Sequence, residues 1–409
     1  MNLTGADIVC LASSSWDAMW VNSQHLMHRL AAQNRVLYVN NLGLRAPGAS
    51  RGDWHKITRR VGEWFSGLRQ AEPNLWVFSP VSLPLHDHAS IRRFNQWNLK
   101  RTLRRHLTDL GFKQPLLWTF LPLGVQLIGS LDESLVIYHC VDDYAANPGV
   151  PAARLREMED QLLRLADLTI VTNPLLYEER KSRARQAAFF GNVADAEHFA
   201  PRPDRPLPLE LAALPRPLLG YQGNISGYKT NLEWIAALAK AMPAASVVLI
   251  GPVGWGDPHT DVSALQALPN VHLLGRMPYE RLPELLAALD ICLLPLHDNE
   301  STRRSFPMKF YEYMAAAKPI VATDLPAFAT YRDRPQLCRL ATDADSFVAG
   351  VRAALADADD HAAERLAEAR LHSWRTRTEQ IAALVAQTWQ EKEARNESAT
   401  TDNPEMERQ

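Results

Sequence analysis

Residues 201–217 read PRPDRPLPLELAALPRP, and on either side of this proline-dense stretch the chain repeats one rhythm: a short apolar run, a loop, then a helical segment. Proline lacks the backbone N–H that a sheet ladder or a helix interior needs, so the stretch divides the fold rather than continuing it. Alternating strand and helix patterns on both sides call for parallel sheets joined by crossover helices. The expected class is α/β, with two Rossmann-like, doubly wound parallel-sheet domains in tandem. A length of 409 residues suits two cores better than one. Ligands of such sheets bind outside the carboxyl ends of the strands, which makes a central cleft faced by both domains the expected site.

In the first domain, 1–200, strands are expected at 8–12, 35–39, 75–78, 116–120, 135–139, 168–171 and 187–190. Helices are expected at 23–33, 89–110, 152–166 and 175–183. After the linker 201–217, the second domain, 218–372, should hold strands at 218–222, 247–250, 271–274, 291–294 and 320–322. Its helices fall at 231–241, 282–288, 309–316, 345–356 and 363–370. A terminal helix occupies 373–392 of the segment 373–395, with Ile381, Leu384, Val385 and Trp389 on one face. Residues 396–409 are polar and aperiodic and read as a disordered tail.

Hydrophobic residues make up 46% and charged residues 22% of the chain, with a net charge of −2, the balance of a soluble globular protein with no global pull towards nucleic acid. The opening residues carry no basic region followed by an apolar run, and no run reaches about 18 apolar residues, so a cytoplasmic location is expected. Cys10, Cys140, Cys292 and Cys338 lie far apart, and three of them sit in strand-like runs. They read as core residues of a reducing compartment. No Cys/His cluster has ligand spacing, so no metal site is expected.

Three stretches carry chemistry. Residues 305–323, SFPMKFYEYMAAAKPIVAT, read as a loop, a short helix with Glu312 just after its first turn, a Lys318-Pro319 break and a buried strand. A loop entering a helix in this way presents backbone N–H groups to an anion. Residues 220–231, GYQGNISGYKTN, read as a strand, a glycine loop and a helix start. Gly223 and Gly227 permit close backbone approach there, and Lys229 adds a cation near the helix, a combination that suits phosphate. An ordinary loop with a solvated lysine is the alternative. Glycines 251, 254 and 256 do not have the G-x-G-x-x-G spacing, so a dinucleotide fingerprint is not supported, and Gly251 reads either as a turn or as a ligand contact.

Taken in order with NVHLLGRMPYERLPELLAALDICLLP at 270–295, these stretches resemble the C-terminal domain of the GT-B retaining glycosyltransferases of the group 1, family 4-like type. The likeness covers roughly residues 217–354. The first half resembles the bacterial surface-polysaccharide, teichuronic-acid-type branch. It does so through Ser15-Trp16-Asp17 ahead of Gln24-His25-Leu26, and through Tyr138-His139-Cys140-Val141-Asp142-Asp143-Tyr144. The resemblance implies that Glu312 holds the ribose hydroxyls of a nucleotide sugar, a role suited to a carboxylate because it can accept two hydrogen bonds from a cis-diol. It also implies that the backbone at Arg276 and Met277 meets the nucleobase. Gly223, Asn224, Lys229, Gly251, Ser305, Pro307 and Lys309 complete the donor-binding set. Two positions depart from the pattern. Arg304 stands where many relatives carry a sugar-contacting Glu, with Glu300 four residues further upstream, and Asn224 stands where many carry an Arg. Lys309 or Arg304 is then the candidate for the missing charge. The resemblance further implies that the terminal helix returns to the first domain. Lysines and helix N-termini would hold the leaving diphosphate, with no metal and no cofactor beyond the nucleotide-sugar co-substrate.

The first domain is expected to supply the acceptor side. Asp142 and Asp143 follow a strand at its carboxyl end and His139 closes it, which makes the three candidates for acid–base work. Capping of a loop, or a core histidine, is the structural alternative. Trp16 and Asp17 lie on the first strand's exit, where an indole can stack on a sugar face or simply fill the core. Residues 51–113 hold twelve Lys or Arg against five Asp or Glu, with Trp54, Ile57, Val61, Trp64, Phe65 and Leu68 at helical spacing. A basic amphipathic helix suits an anionic membrane surface, and a helix packed on the domain with a solvated basic face is the alternative. No nucleic-acid-binding module is present.

The reading is a cytoplasmic hexosyltransferase-type enzyme, peripheral on the inner face of the cytoplasmic membrane. It would move a sugar from a nucleoside-diphosphate sugar to a lipid-linked saccharide or surface glycan, with retention. A nucleotide-sugar epimerase on the same fold and a catalytically idle scaffold of polysaccharide assembly are the alternatives.

Overall fold

The computed structural model describes residues 3–18, 20–41, 67–80, 89–146, 150–202, 207–255, 257–357 and 361–401. Two compact units emerge. The first comprises residues 1–172, 176–190 and 378–409, and the second comprises 173–175 and 191–377.

The first unit is built on an eight-stranded sheet in the order β3-β4-β2-β1-β5-β6-β7-β8. Its strands are β1 (Asp7–Leu11), β2 (Arg35–Val39), β3 (Leu68–Glu72), β4 (Leu75–Phe78), β5 (Leu116–Thr119), β6 (Leu135–Cys140), β7 (Leu168–Val171) and β8 (Ala187–Phe189). All neighbours pair in parallel except β3, which runs antiparallel to β4. The central strands are buried throughout, as continuous apolar runs with helices on both faces must be. Helix Ala89–Leu110 packs on the core through Leu99, Leu103 and Leu107, which recur every fourth residue. A buried ion pair, Arg180 with Glu159, takes a further hydrogen bond from the Tyr138 hydroxyl.

The second unit holds a six-stranded, all-parallel sheet in the order β11-β10-β9-β12-β13-β14. Its strands are β9 (Leu218–Gln222), β10 (Ser246–Ile250), β11 (Val271–Gly275), β12 (Ile291–Leu294), β13 (Ile320–Thr323) and β14 (Cys338–Ala341). Strand order reverses between β9 and β12. That reversal opens a crevice outside their carboxyl ends, where the loops diverge.

Several expectations need correction. Leu68, read as the end of a basic helix, begins the edge strand β3 instead, and Trp54, Ile57, Val61, Trp64 and Phe65 lie outside the described residues. β14 was not foreseen, because CRLA mixes one arginine into a short run. The proline-dense stretch is not a free connector over its whole length. Leu209–Ala212 is a short helix and Leu211 is buried in the second core, together with Ala194 and Phe199 from ahead of the linker. The chain thus leaves the first unit near residue 190, ten residues before the expected boundary. The terminal helix spans Trp374–Thr401, past the expected tail start at 396, because its polar C-terminal turns continue a helix already nucleated by packing. From Thr378 onward it belongs to the first unit, where Lys392 pairs with Asp167. No helix among the described residues is long and apolar enough to cross a membrane.

Candidate functional site

The crevice between β9 and β12 is lined by the loop 223–231 and by the segment 295–308. These two are stitched together by backbone. Asn231 N–H donates to the Pro295 carbonyl at 2.8 Å, and His297 N–H donates to the Lys229 carbonyl at 2.9 Å. Asn299 reaches across with its side-chain amide to the Tyr228 carbonyl at 2.6 Å and also caps helix Glu300–Arg303. The glycine loop is anchored from a second side. Asp257 accepts hydrogen bonds from the Ser226 hydroxyl, the Tyr228 N–H and the Thr260 hydroxyl. Burial opposes ionisation of this carboxyl, but the hydrogen bonds prevail and hold it below its ordinary range.

Two glycines at the ends of β9 and β10 make the approach possible. Gly223 has φ +141° and Gly251 φ +146°, and a Cβ on Gly251 would lie 1.8 Å from the Gly223 carbonyl oxygen. The strand ends are therefore packed backbone on backbone, which any side chain would prevent.

Helix Lys309–Ala315 lies against this junction. The Lys309 ammonium donates to the Tyr221 hydroxyl at 3.0 Å and sits 4.5 Å from the centroid of that ring. The Tyr221 hydroxyl in turn donates to the Asn224 carbonyl at 3.0 Å. One helical turn on, the Tyr313 hydroxyl accepts from Gln222 N–H at 2.8 Å, so the helix is fixed to the end of β9 at two points. Its other faces carry Phe310 and Met314 into the core, and Phe306 stacks on Tyr311 at 5.3 Å. The entry to the helix is held by two asparagines. Asn173 donates to the carbonyls of Arg303 and Ser305, and Asn192 to the carbonyl of Phe306.

Glu312 is 9% exposed, and no hydrogen bond among the described residues reaches its carboxylate. Burial pushes its pKa up to about 7, Lys309 works against the rise and Asp195 adds to it. Asp195 comes from the loop after β8 and caps helix Ala196–Phe199. A desolvated carboxyl that is left without donors is a group waiting for donors from outside.

The remaining sequence candidates of this unit fall as follows. Arg304 is half-buried and pairs with Glu300 at 3.1 Å. Ser305 donates to the Thr302 carbonyl, and Pro307 is half-buried ahead of the helix. Lys229 is half-buried, its ammonium 5.5 Å from the ring centroid of Tyr228. Asn224 spends its side-chain amide on the Trp255 carbonyl, while its own oxygen is buried with no partner among the described residues. Arg276 is exposed and Met277 half-buried directly after β11. Gly223, Asn224, Gly251 and Lys309 come together at the crevice, with Glu312 on the same helix as Lys309. Tyr221, Tyr313 and Asp195 were missed by sequence reasoning. The spacing of Tyr313 four residues after Lys309 was a readable signal, whereas Asp195, more than a hundred residues away, offered none.

The candidates of the first unit are placed differently. His139 is buried and stacks on Phe120 at 4.8 Å, a core position. Asp143 accepts from Ala145 N–H and caps the turn Tyr144–Ala146, and Asp142 is half-exposed beside it. Trp16 is 7% exposed and packs edge-on against Tyr38 at 5.0 Å, so its indole serves the core rather than presenting a face. Asp17 is exposed and pairs with Arg69 of β3 at 2.6 Å. The exit loop of β1 is nonetheless tightly tied: Asn41, Tyr38 and Gln24 donate to the carbonyls of Ser13, Ser14 and Ser15.

Comparison with known proteins bears on the second unit and on the fold. Residues 216–357 match the family described as glycosyl transferases group 1. Over 226 residues the chain is 27% identical to TuaH of Bacillus subtilis (strain 168), provisionally named a teichuronic acid biosynthesis glycosyltransferase. That match covers 52% of this chain and 56% of the relative, so it spans little more than half the length of either. Sucrose-phosphate synthase from Thermosynechococcus elongatus superposes with a TM-score of 0.70 at 18% identity, covering 93% of this chain and 98% of that one. HepE of Anabaena, in complex with UDP-glucose, gives 0.65 at 15% identity, covering 93% and 99%. At such identities the structures speak for the fold alone, and that fold is GT-B. Most of the segment that builds the crevice lies within residues 216–357, the stretch that is similar to the glycosyl transferases of group 1.

Proposed function

We propose that the chain is a glycosyltransferase that moves a sugar from a nucleoside-diphosphate sugar to a saccharide acceptor. One observation carries the reading. Lys309 and Glu312 lie one turn apart on a helix at the switch-point crevice, yet the ammonium is hydrogen-bonded to Tyr221 and no hydrogen bond among the described residues reaches the carboxylate. A ligand that offers an anion next to a diol satisfies both, and a nucleoside diphosphate is such a ligand. Glu312 takes the ribose hydroxyls, and Lys309 and Lys229 take the diphosphate. Of the two residues considered for the charge missing at Asn224, Lys309 is favoured, because Arg304 is already paired with Glu300. The backbone at Arg276 and Met277 borders the base.

In this reading the leaving diphosphate is stabilised by lysines and needs no metal, and its own oxygen helps to deprotonate the incoming hydroxyl, giving retention. The partial match to a protein named for teichuronic acid biosynthesis supports a glycan as acceptor, and a lipid-linked form of it is part of the proposal. Asp142, half-exposed, and Asp17, exposed and paired with Arg69, are the acceptor-side groups that reach solvent.

Thermal-shift titration with UDP, GDP and TDP tests the donor site, since a ligand that binds only the folded state raises its apparent stability. A shift with at least one nucleotide, abolished in Glu312→Ala, is the expected result. A shift that Glu312→Ala leaves unchanged refutes the assignment. Transfer is then separated from epimerisation by whether a nucleotide sugar is consumed without an acceptor.

A further inference from the structure

The loop that carries Lys229 is held from two sides by side chains that sequence reasoning did not single out. On one side a single oxygen of Asp257, Oδ2, accepts from the Ser226 hydroxyl at 3.2 Å, the Tyr228 N–H at 3.2 Å and the Thr260 hydroxyl at 2.9 Å. The Thr260 oxygen accepts in turn from Gly227 N–H at 3.0 Å. The N–H groups of Gly227 and Tyr228 are thus already engaged by oxygens of the protein. On the other side the Asn299 amide donates to the Tyr228 carbonyl, and His297 N–H donates to the Lys229 carbonyl. The segment leading to Asp257 is fastened as well: Gly254 N–H donates to the Ile225 carbonyl at 2.8 Å, and Ile225 N–H to the Pro252 carbonyl at 2.9 Å. An anion that reaches this loop at residues 227–229 meets a lysine rather than a row of amides.

We infer that Asp257, Thr260 and Asn299 are positioning residues that aim Lys229 at the diphosphate of the donor. The inference rests on the donor-site reading and deepens it. A loop with glycines at 223 and 227 has wide backbone freedom unless it is tied. A lysine on such a loop delivers its charge only as accurately as its backbone is placed. The charge of Asp257 does not explain its place, because a carboxylate beside a diphosphate site repels the ligand. Its geometry does: three donors converge on one oxygen, and two of them are on the loop itself.

The test is calorimetry on the full chain with UDP, GDP and TDP, each against its parent nucleoside. Thr260→Val removes the relay from Gly227 at constant shape and charge. It should weaken nucleotide binding about three- to tenfold, the worth of one hydrogen bond, and Thr260→Ser should restore it. Asn299→Ser keeps a cap on its helix but is too short to reach Tyr228, and should behave like Thr260→Val. Asp257→Ala should weaken binding at least about tenfold, whereas Asp257→Asn, which can keep an oxygen in the place of Oδ2, should bind as the natural chain does. Nucleoside binding should not change in any of them. A double-mutant cycle reads whether the effect runs through Lys229: in a Lys229→Met background, Asp257→Ala or Thr260→Val should cost nothing further. Losses that persist in that background, or that fall equally on the nucleoside, overturn the inference. So does nucleotide binding that Asp257→Ala and Thr260→Val leave intact while Glu312→Ala abolishes it, a result that spares the donor reading. Failure of the natural chain to bind any of the three nucleotides sinks both.

Discussion

The Lys309 ammonium fills the space that a Cβ on Gly223 would need: the nitrogen lies 2.1 Å from that position. The lysine obstructs with the far end of a flexible side chain, so Gly223→Ala can fold by swinging it aside. The variant should lose only about 1–2 kcal/mol from the left-handed backbone but lose nucleotide affinity to the same extent as Lys309→Met. Gly251→Ala is the contrast, because its obstacle is the Gly223 backbone, which cannot swing away. It should be the worse of the two in urea denaturation.

Lys309→Met should weaken binding of a nucleoside diphosphate about 10- to 100-fold, the range for a hydrogen bond to a charged group, and leave binding of the free nucleoside unchanged. Calorimetry with both ligands reads the difference. Adding Asn224→Arg should restore much of the loss, since a cation would then reach the same anion from the loop. Equal weakening of both ligands would make Lys309 a packing residue.

Glu312 couples binding to pH. Its folded pKa, about 7, lies above the ordinary 4.5, so the folded chain holds an extra proton between those values. Its contribution to stability is complete below pH 4.5 and is lost as pH rises through 7, a swing on the order of 3 kcal/mol. Glu312→Gln should abolish that component, so the variant gains on the natural chain as pH rises from 5 to 8. Ribose hydroxyls favour the ionised form, so nucleotide affinity should rise with pH over the same window. Calorimetry in buffers of differing ionisation enthalpy should record proton release on binding.

Ala317, which ends the site helix, has φ +60°, a conformation that costs a side-chain-bearing residue about 1–2 kcal/mol. The buried Arg365 donates to its carbonyl at 3.0 Å, and Lys318 N–H closes back on Tyr313. Ala317→Gly should therefore raise stability by about 1 kcal/mol with nucleotide affinity intact, read as a shift of the urea midpoint.

The parallel sheets were legible because buried strands such as LVIYHC and SVVLI are continuous apolar runs, and because glycines mark the turns that follow β9 and β10. That Glu312 and Lys309 share one short helix could be read from the sequence, because residues 309–316 carry a helical pattern. What sequence could not supply is which neighbour each side chain meets. His139 and Trp16 look alike as site or core until Phe120 and Tyr38 are placed beside them. Arg304 remained a candidate cation until Glu300 was found paired with it. The edge strand β3 escaped because its alternation, LRQAE, carries almost no apolar signal.

The terminal helix has a consequence for synthesis. Residues 378–409 complete the unit that the first 172 residues begin, with the whole second unit between them in sequence. Domains emerging from the ribosome ordinarily fold in order, amino end first. Here the earlier unit cannot be finished until the residues after 377 are made, and the later unit is whole before it. A chain stopped just after Arg377 would retain the second unit whole and leave the amino-terminal one with part of its core uncovered, a candidate for chaperones.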